Sequence, residues 1–264
     1  MSFSYADVVA VGAPAPGFRR IRLRVEDPAT AGIPPEPDAA VGVYFGAGDE
    51  GRTYTVRHHT GDHIDVDVVV HTHGPGSDWA RTAAPGDRVG LDHARSWYRP
   101  PVGTAWQLVV CDLAGLPAAA RILETAGIPS VVVAEVLDRE HVEPLAADSV
   151  HTLIPSVGTG NGRSPSRLAD IVGDLPLPEG PGYCWFGGEA AEARAVRKHL
   201  RGLGWTLEQT DILGYWRSDS EQWELRYSPI ADEMFAVYQN ALASGHDGKA
   251  AAEVFDEALE RRGL

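Results

Sequence analysis

The sequence predicts two domains and a helical tail: an antiparallel β-barrel over residues 1–103, an α/β domain with a parallel sheet over 104–217, and helices over 218–264. Two patterns carry this expectation. The first hundred residues read as short, closely spaced strands with alternating apolar side chains, divided by Gly/Pro/Asp turns. Beyond residue 105, wholly apolar runs alternate with amphipathic stretches, as expected of parallel strands covered on both faces by helices. A length of 264 residues with 44% hydrophobic side chains fits two modest packed domains.

The barrel strands can be read in order. Ile21, Leu23 and Val25 alternate with Arg20, Arg22 and Arg24, the period of a half-buried strand. Val41, Val43 and Phe45 repeat that spacing. RTYTVR (52–57) is short, aromatic and β-branched, and HIDVDVVVH (63–71) alternates before turning wholly apolar. PGDRVGL (85–91) reads as a turn followed by a strand. The Pro/Gly-rich RPPVGT (99–104) reads as the linker.

In the second domain the apolar runs are WQLVVCD (106–112), SVVVAEV (130–136), VHTLIP (150–155) and YCWFGGE (183–189). PAAARILETA (117–126) and EAAEARAVRKHLRGL (189–203) have helical periodicity, and NGRSPS (161–166) is a loop by composition. In the tail, Ile230, Met234, Val237, Tyr238, Ala241 and Leu242 fall on one helical face, and Val254, Phe255, Ala258 and Leu259 on another; two helices packed on the body are expected.

Several function classes are excluded at this level. The net charge of −14 makes the chain a poor general binder of nucleic acid or anionic membrane. The charge is uneven: residues 1–104 hold 10 basic and 13 acidic side chains, leaving 13 and 24 for the rest. The first part is therefore the better home for a phosphate-bearing ligand. No run of eighteen apolar residues occurs, and the N-terminus lacks a basic start followed by an apolar run; a cytoplasmic protein is expected. Cys111 and Cys184 form no metal-ligand pattern and are expected as reduced core thiols. His58, His59, His63, His71 and His73 lie beside no clear carboxylate set, so no metal is expected. Protease, esterase and Walker signatures are absent.

Two barrel motifs carry chemistry. In Arg52-Thr53-Tyr54-Thr55-Val56-Arg57, alternation sends Arg52, Tyr54 and Val56 one way and Thr53, Thr55 and Arg57 the other. Tyr54 offers a flat face to an aromatic ring, Thr55 a hydroxyl, and the two arginines can hold phosphate. In the second motif, His71-Thr72-His73-Gly74-Pro75-Gly76-Ser77-Asp78-Trp79, the strand ends at His71 and glycines let backbone approach a ligand closely. Ser77 or Asp78 is expected to cap a short helix carrying Trp79, whose N-terminal N–H groups would face an anion such as a pyrophosphate. In the α/β domain, Phe186-Gly187-Gly188-Glu189 and Asp112-Leu113-Ala114-Gly115-Leu116-Pro117 each join a strand to a helix. With a strand order of 3-2-1-4-5 these loops face each other at the switch point, the usual ligand site of open α/β sheets, and Cys111 and Cys184 lie on neighbouring strands.

Taken in order, RTYTVR, HTHGPGSDWA, the Pro-Gly-Asp turn, LPAAARILE, FGGEAAEARAVRKHL and GYWR resemble the siderophore-interacting protein family of flavin reductases, itself similar to the ferredoxin-reductase class. The resemblance covers roughly residues 5–217. It implies FAD as cofactor, NAD(P)H as electron donor and a ferric siderophore as acceptor. It places Arg52, Tyr54, Thr55 and Arg57 on the flavin strand, with Tyr54 against the ring and Thr55 near its reactive nitrogen. It places His71, Gly74, Gly76, Ser77 and Trp79 at the pyrophosphate, and Gly187, Gly188 and Glu189 on the nicotinamide-nucleotide side. The chain departs from the family's Asp-Glu-Thr-Ala-x-Pro at Leu113 and Ala114. An anionic ferric complex needs cationic anchors: Arg217 beside Trp216 is the first candidate, followed by Arg57 and His59. Two alternatives remain open: a reductase of another acceptor, such as a quinone or a biosynthetic intermediate, and a binding protein without turnover.

Overall fold

The computed structural model describes residues 4–45, 51–145, 151–218 and 220–264. Six strands close into an antiparallel barrel: β1 (Ser4–Gly12), β2 (Phe18–Val25), β3 (Ala40–Phe45), β4 (Gly51–Thr60), β5 (His63–Val69) and β6 (Arg88–Arg95), in the order β1-β2-β5-β4-β3-β6. A single turn, α1 (Pro28–Ala31), follows β2, and α2 (Pro75–Thr82) follows β5. The alternation in β2 works as expected. Ile21, Leu23 and Val25 enter the barrel core with Val41, Val43, Ile64 and Val66. The intervening arginines meet acids directly across the β2–β5 register: Arg20 pairs with Asp67 and Arg22 with Asp65, both through two nitrogens.

The second domain is a five-stranded parallel sheet of β7 (Trp106–Cys111), β8 (Ser130–Val136), β9 (His151–Val157), β10 (Gly182–Glu189) and β11 (Thr210–Trp216). Its order β11-β10-β7-β8-β9 is the expected 3-2-1-4-5, and Cys111 and Cys184 lie on adjacent strands. Both thiols are buried and free, and burial pushes both pKa values up. Val150, expected within β9, lies outside the described residues. Helices α3 (Leu116–Thr125), α4 (Leu168–Asp174) and α5 (Ala190–Gly202) cover the sheet. Two cores sit on its opposite faces, one with α3, Trp185 and Tyr183, the other with α4, α5 and Phe186.

The tail holds three helices rather than two: α6 (Ser220–Tyr227), α7 (Ala231–Ala243) and α8 (Gly248–Arg261). Helix α6 buries none of its residues, so its sequence carries no apolar stripe to read. The tail core is small, built on Met234, Ala258, Leu259 and Leu264. Ion pairs from Arg197 to Asp256 and from Arg201 to Glu257 tie it to α5, and Lys249 reaches Asp211 at the start of β11.

The domains are gripped together by α3. Arg121 donates to the carbonyls of Val56 and Pro35, and Glu124, one turn on, accepts from both terminal nitrogens of Arg57. A bulge between Val56 and His58 in β4 marks where Arg57 leaves the regular ladder. Fully buried Asp38 adds a second tie, accepting from the backbone of Trp97 and Tyr98 and from the Trp185 indole.

Candidate functional site

A cleft of about 680 Å³ opens between the domains. Arg52, Thr53, Tyr54 and Thr55 of β4 form its barrel wall, together with the loop from His73 to Ser77, with Arg95 at the end of β6 and with Trp97 beyond it. Leu213, Gly214, Tyr215 and Trp216 of β11, with Ala114, form the opposite wall. The volume lies in the range of small-molecule and cofactor sites.

The loop between β5 and α2 is held at both ends. His71 N donates to Ser77 Oγ at 2.9 Å, and Arg81 donates to the His71 carbonyl. Ser77 therefore closes the loop rather than capping α2; the N-cap is Gly74, with no side-chain cap, and Asp78 pairs with Arg81. Gly74 has φ 120°, a conformation that L side chains rarely adopt. At Gly76 an added Cβ would stand 2.3 Å from the Tyr54 hydroxyl, so the loop packs on the Tyr54 ring with no room for a side chain. Burial pushes the Tyr54 phenol up to about 12. His71 lies at the cleft, its pKa lowered by partial burial and by the charge of Arg163 on the facing domain. Trp79 turns away: it stacks on Phe45 at 5.0 Å and 7° and so belongs to the barrel core rather than to the cleft.

Other expected site residues are also placed elsewhere. Arg57 is buried and committed to Glu124; it does not line the cleft. His59 is exposed near the end of β4, opposite Ile64, and does not line the cleft. Gly187, Gly188 and Glu189 are buried beneath the surface. A Cβ on Gly115 would meet the Gly187 carbonyl and one on Gly188 would meet Asp112, so the two facing loops interlock. Glu189 caps α5 through the amides of Ala191 and Glu192. Trp216 closes the junction by donating its indole N–H to Asp112 at 2.6 Å, and Asp112 also accepts from Ala114 N. Burial holds the Asp112 carboxyl up to about 6, against these hydrogen bonds. Arg217 lies over the Trp223 ring of α6 at 4.3 Å.

Sequence reasoning missed Arg95, Trp97, Ala114 and Tyr215 as cleft residues. Arg95 and Trp97 reach the cleft from the barrel itself, Arg95 donating to Thr53 Oγ1 at 3.0 Å, whereas Ala114 and Tyr215 enter it through the docking of the domains. Among the described residues, no group of three or more His, Cys, Asp and Glu side chains is arranged to hold a metal. No helix among them is long and apolar enough to cross a membrane.

The residues present fit a bound flavin. Thr55 Oγ1 is buried with no hydrogen-bond partner among the described residues, and it faces the cleft. The flat Tyr54 ring and the side-chain-free turn at Gly74–Gly76 lie beside it. A closed barrel followed by a 3-2-1-4-5 parallel sheet, with a cleft at their junction, defines the ferredoxin-reductase-like class. A ferredoxin NADP+ reductase from Neisseria gonorrhoeae shares the fold at a TM-score of 0.66 and 15% identity, over 82% of this chain and all of that one.

Two family models match: "Siderophore-interacting FAD-binding domain" over residues 46–95 and "Siderophore-interacting protein" over 104–219. The chain belongs to the siderophore-interacting protein family, and FAD is the cofactor that its matched barrel domain binds. The siderophore-interacting protein from Acinetobacter baumannii superposes with a TM-score of 0.75 at 22% identity, over 89% of this chain and 99% of that one. The ferric vibriobactin reductase ViuB of Vibrio cholerae is 29% identical over 70% of this chain and 71% of its own length. The NADPH-dependent ferric-chelate reductase of Escherichia coli is 40% identical over 62 residues, only 24% of each chain.

Proposed function

We propose that this chain is a flavin-dependent reductase that moves electrons from NAD(P)H through FAD to the Fe(III) of a ferric siderophore, releasing Fe(II). The observation that carries this reading is the cleft itself. One wall offers an aromatic face, an unpaired hydroxyl and a glycine turn; the other is the end of a sheet that in related folds meets a nucleotide. Bound FAD supplies the conversion from a two-electron donor to one-electron transfer, and the protein supplies binding and orientation.

Each residue then has a task. Tyr54 packs along the ring and Thr55 donates to it. Arg52 holds a phosphate oxygen, and the Gly74–Gly76 turn lets the pyrophosphate approach backbone. Trp216 and Arg217 flank the opening where an anionic ferric complex arrives. The acceptor chemistry follows from the metal: siderophores are hard oxygen donors matched to Fe(III), so reduction weakens the complex. The names of the E. coli and V. cholerae relatives support the same acceptor class.

The test is an anaerobic titration of the purified yellow protein. NAD(P)H should bleach the flavin absorbance, and a ferric siderophore should restore it with stoichiometric Fe(II) captured by a ferrous chelator. Bleaching by dithionite but not by NADH or NADPH would refute the donor. Re-oxidation by quinones but not by ferric complexes would refute the acceptor.

A further inference from the structure

Of the buried side-chain polar atoms without a hydrogen-bond partner among the described residues, two line the cleft: Thr55 Oγ1 on the barrel wall and Tyr215 Oη on the sheet wall. They are neighbours across the domain junction, the Thr55 hydroxyl being near enough to temper the rise in the Tyr215 pKa. A buried hydroxyl left unpaired costs free energy, and native proteins rarely leave two together. A ligand with an acceptor atom at this point would satisfy both.

We propose that Tyr215 is a positioning residue of the flavin site: its phenol donates to the Thr55 hydroxyl, which then presents its own proton to an acceptor atom on the ring of bound FAD. The inference rests on the flavin reading above. The direction of the relay follows from chemistry. A phenol is a stronger acid than an alcohol, so Tyr215 is the better donor and Thr55 the better acceptor. Each hydroxyl has one proton, so the Thr55 proton is the one left for the ligand. Such a chain polarises its last donor beyond what Thr55 offers alone.

The phenol is placed and kept protonated by neighbouring protein groups. The Trp185 ring stands edge-on to Tyr215, at 88° and 6.2 Å. The Trp185 indole N–H is held by Asp38 at 3.2 Å, and Asp38 is fixed by the amides of Trp97 and Tyr98. Trp216, the next residue along, is anchored on Asp112. Burial, with the nearby Asp38 charge, pushes the Tyr215 pKa up. The barrel thus supplies Thr55 and Asp38, and the sheet domain supplies Trp185 and Tyr215. The geometry exists only when the domains are docked.

The test uses the full chain with Tyr215→Phe, Thr55→Val, the double variant, and Thr55→Ser, which keeps a hydroxyl. In urea unfolding of FAD-free protein, Tyr215→Phe should unfold close to the parent midpoint, which separates a loss at the flavin from a loss of fold. In the holoprotein, Tyr215→Phe should weaken the reduced cofactor about tenfold more than the oxidised one, since a donor at the ring favours the electron-rich state. For a two-electron couple that ratio is a midpoint about 30 mV lower, read by dye equilibration. Thr55→Val should give a similar or larger shift, the double variant no more than Thr55→Val, and Thr55→Ser almost none. A Tyr215→Phe midpoint equal to that of the parent, or shifts that add in the double variant, would overturn the relay. A parent protein that binds no FAD would instead sink the flavin reading, and the two failures cannot be confused.

Discussion

Replacing Glu124 by Ala should loosen the grip of α3 on the barrel and leave the flavin contacts in place. Arg57 is 7% exposed, and both its terminal nitrogens donate to Glu124, Nη1 to Oε2 at 2.8 Å. Losing one partner of a fully buried pair costs about 3–5 kcal/mol. Here the Glu124 side chain is 42% exposed, so water screens the pair already and can replace part of it. The expectation falls to about 2 kcal/mol, near the middle of the range for a charge-assisted hydrogen bond. A further effect has the same sign. Burial, and next the charge of Arg57, lower the Arg121 pKa, and Glu124 offsets that repulsion. Arg57→Ala should cost a similar amount, and the double variant little more than either, giving a coupling of about 1.5–2 kcal/mol in a double-mutant cycle. Urea unfolding followed by tryptophan fluorescence measures the cycle; absorbance measures FAD per chain. A coupling below about 0.5 kcal/mol refutes the ion pair as a domain clamp. So does an Arg57→Ala protein that unfolds like the parent but has lost its flavin, which would return Arg57 to the cofactor.

Three further outcomes follow from the cleft. Gly76→Ala would set a Cβ 2.3 Å from the Tyr54 hydroxyl, against the 3.4 Å of ordinary contact; the ring must yield by about 1 Å, at about 1–3 kcal/mol, so FAD affinity measured by fluorescence titration should fall roughly five- to a hundred-fold with little change in the fold. Asp112 is held up to about 6 from its ordinary 3.8, so its protonation stabilises the fold fully below pH 3.8, and that stability is lost as pH rises through 6. Between pH 5 and pH 8 the parent should lose about 1.4 kcal/mol relative to Asp112→Asn, and parallel stability curves for the two proteins would refute the shift. Arg217→Ala should slow re-oxidation by an anionic ferric complex about ten- to a hundred-fold and leave bleaching by NAD(P)H unchanged; stopped-flow measurement of both half-reactions would expose the reverse pattern.

The fold was legible wherever a strand or helix had one buried face and a regular period. The Arg/apolar alternation of β2 showed which of its residues enter the barrel, though not the β5 register that sets Asp65 and Asp67 against its arginines, and the apolar runs of β7, β8 and β10 gave the parallel sheet. Strand β1 escaped because a bulge between Val8 and Ala10 breaks its alternation and its inward residues are as small as Ala6. Helix α6 escaped because no residue of it is fully buried and only Trp223 and Tyr227 pack on the tail core, too few to make a stripe. In the site, the barrel motifs were legible as strings: Arg52, Tyr54, Thr55, Gly74 and Gly76 all reach the cleft. The fate of Arg57 was not. Alternation correctly sent it to the face shared with Thr55, but only the docking of α3 sets Glu124 against it. A motif states which residues a strand presents; it does not state what the neighbouring domain brings to meet them.

The same limit explains the glycine loop of the second domain. Phe186-Gly187-Gly188-Glu189 has the composition of a ligand loop and lies at the switch point of the sheet, where ligands of open α/β folds bind. Its glycines are nevertheless required by protein atoms: the Trp185 ring lies where a Gly187 side chain would go, and Asp112 lies where a Gly188 side chain would go. Trp216 then covers this junction through its bond to Asp112. A ligand in the cleft therefore meets the second domain at Ala114 and along Leu213–Trp216, one layer above the glycines. Under the proposed function the nicotinamide is recognised on this side by an apolar and aromatic wall. The two positions where the chain departs from its family's usual pattern split accordingly: Leu113 is buried in the core, and Ala114 faces the cleft. A polar residue at Ala114 would change the wall of the cleft; the same change at Leu113 would disturb packing alone.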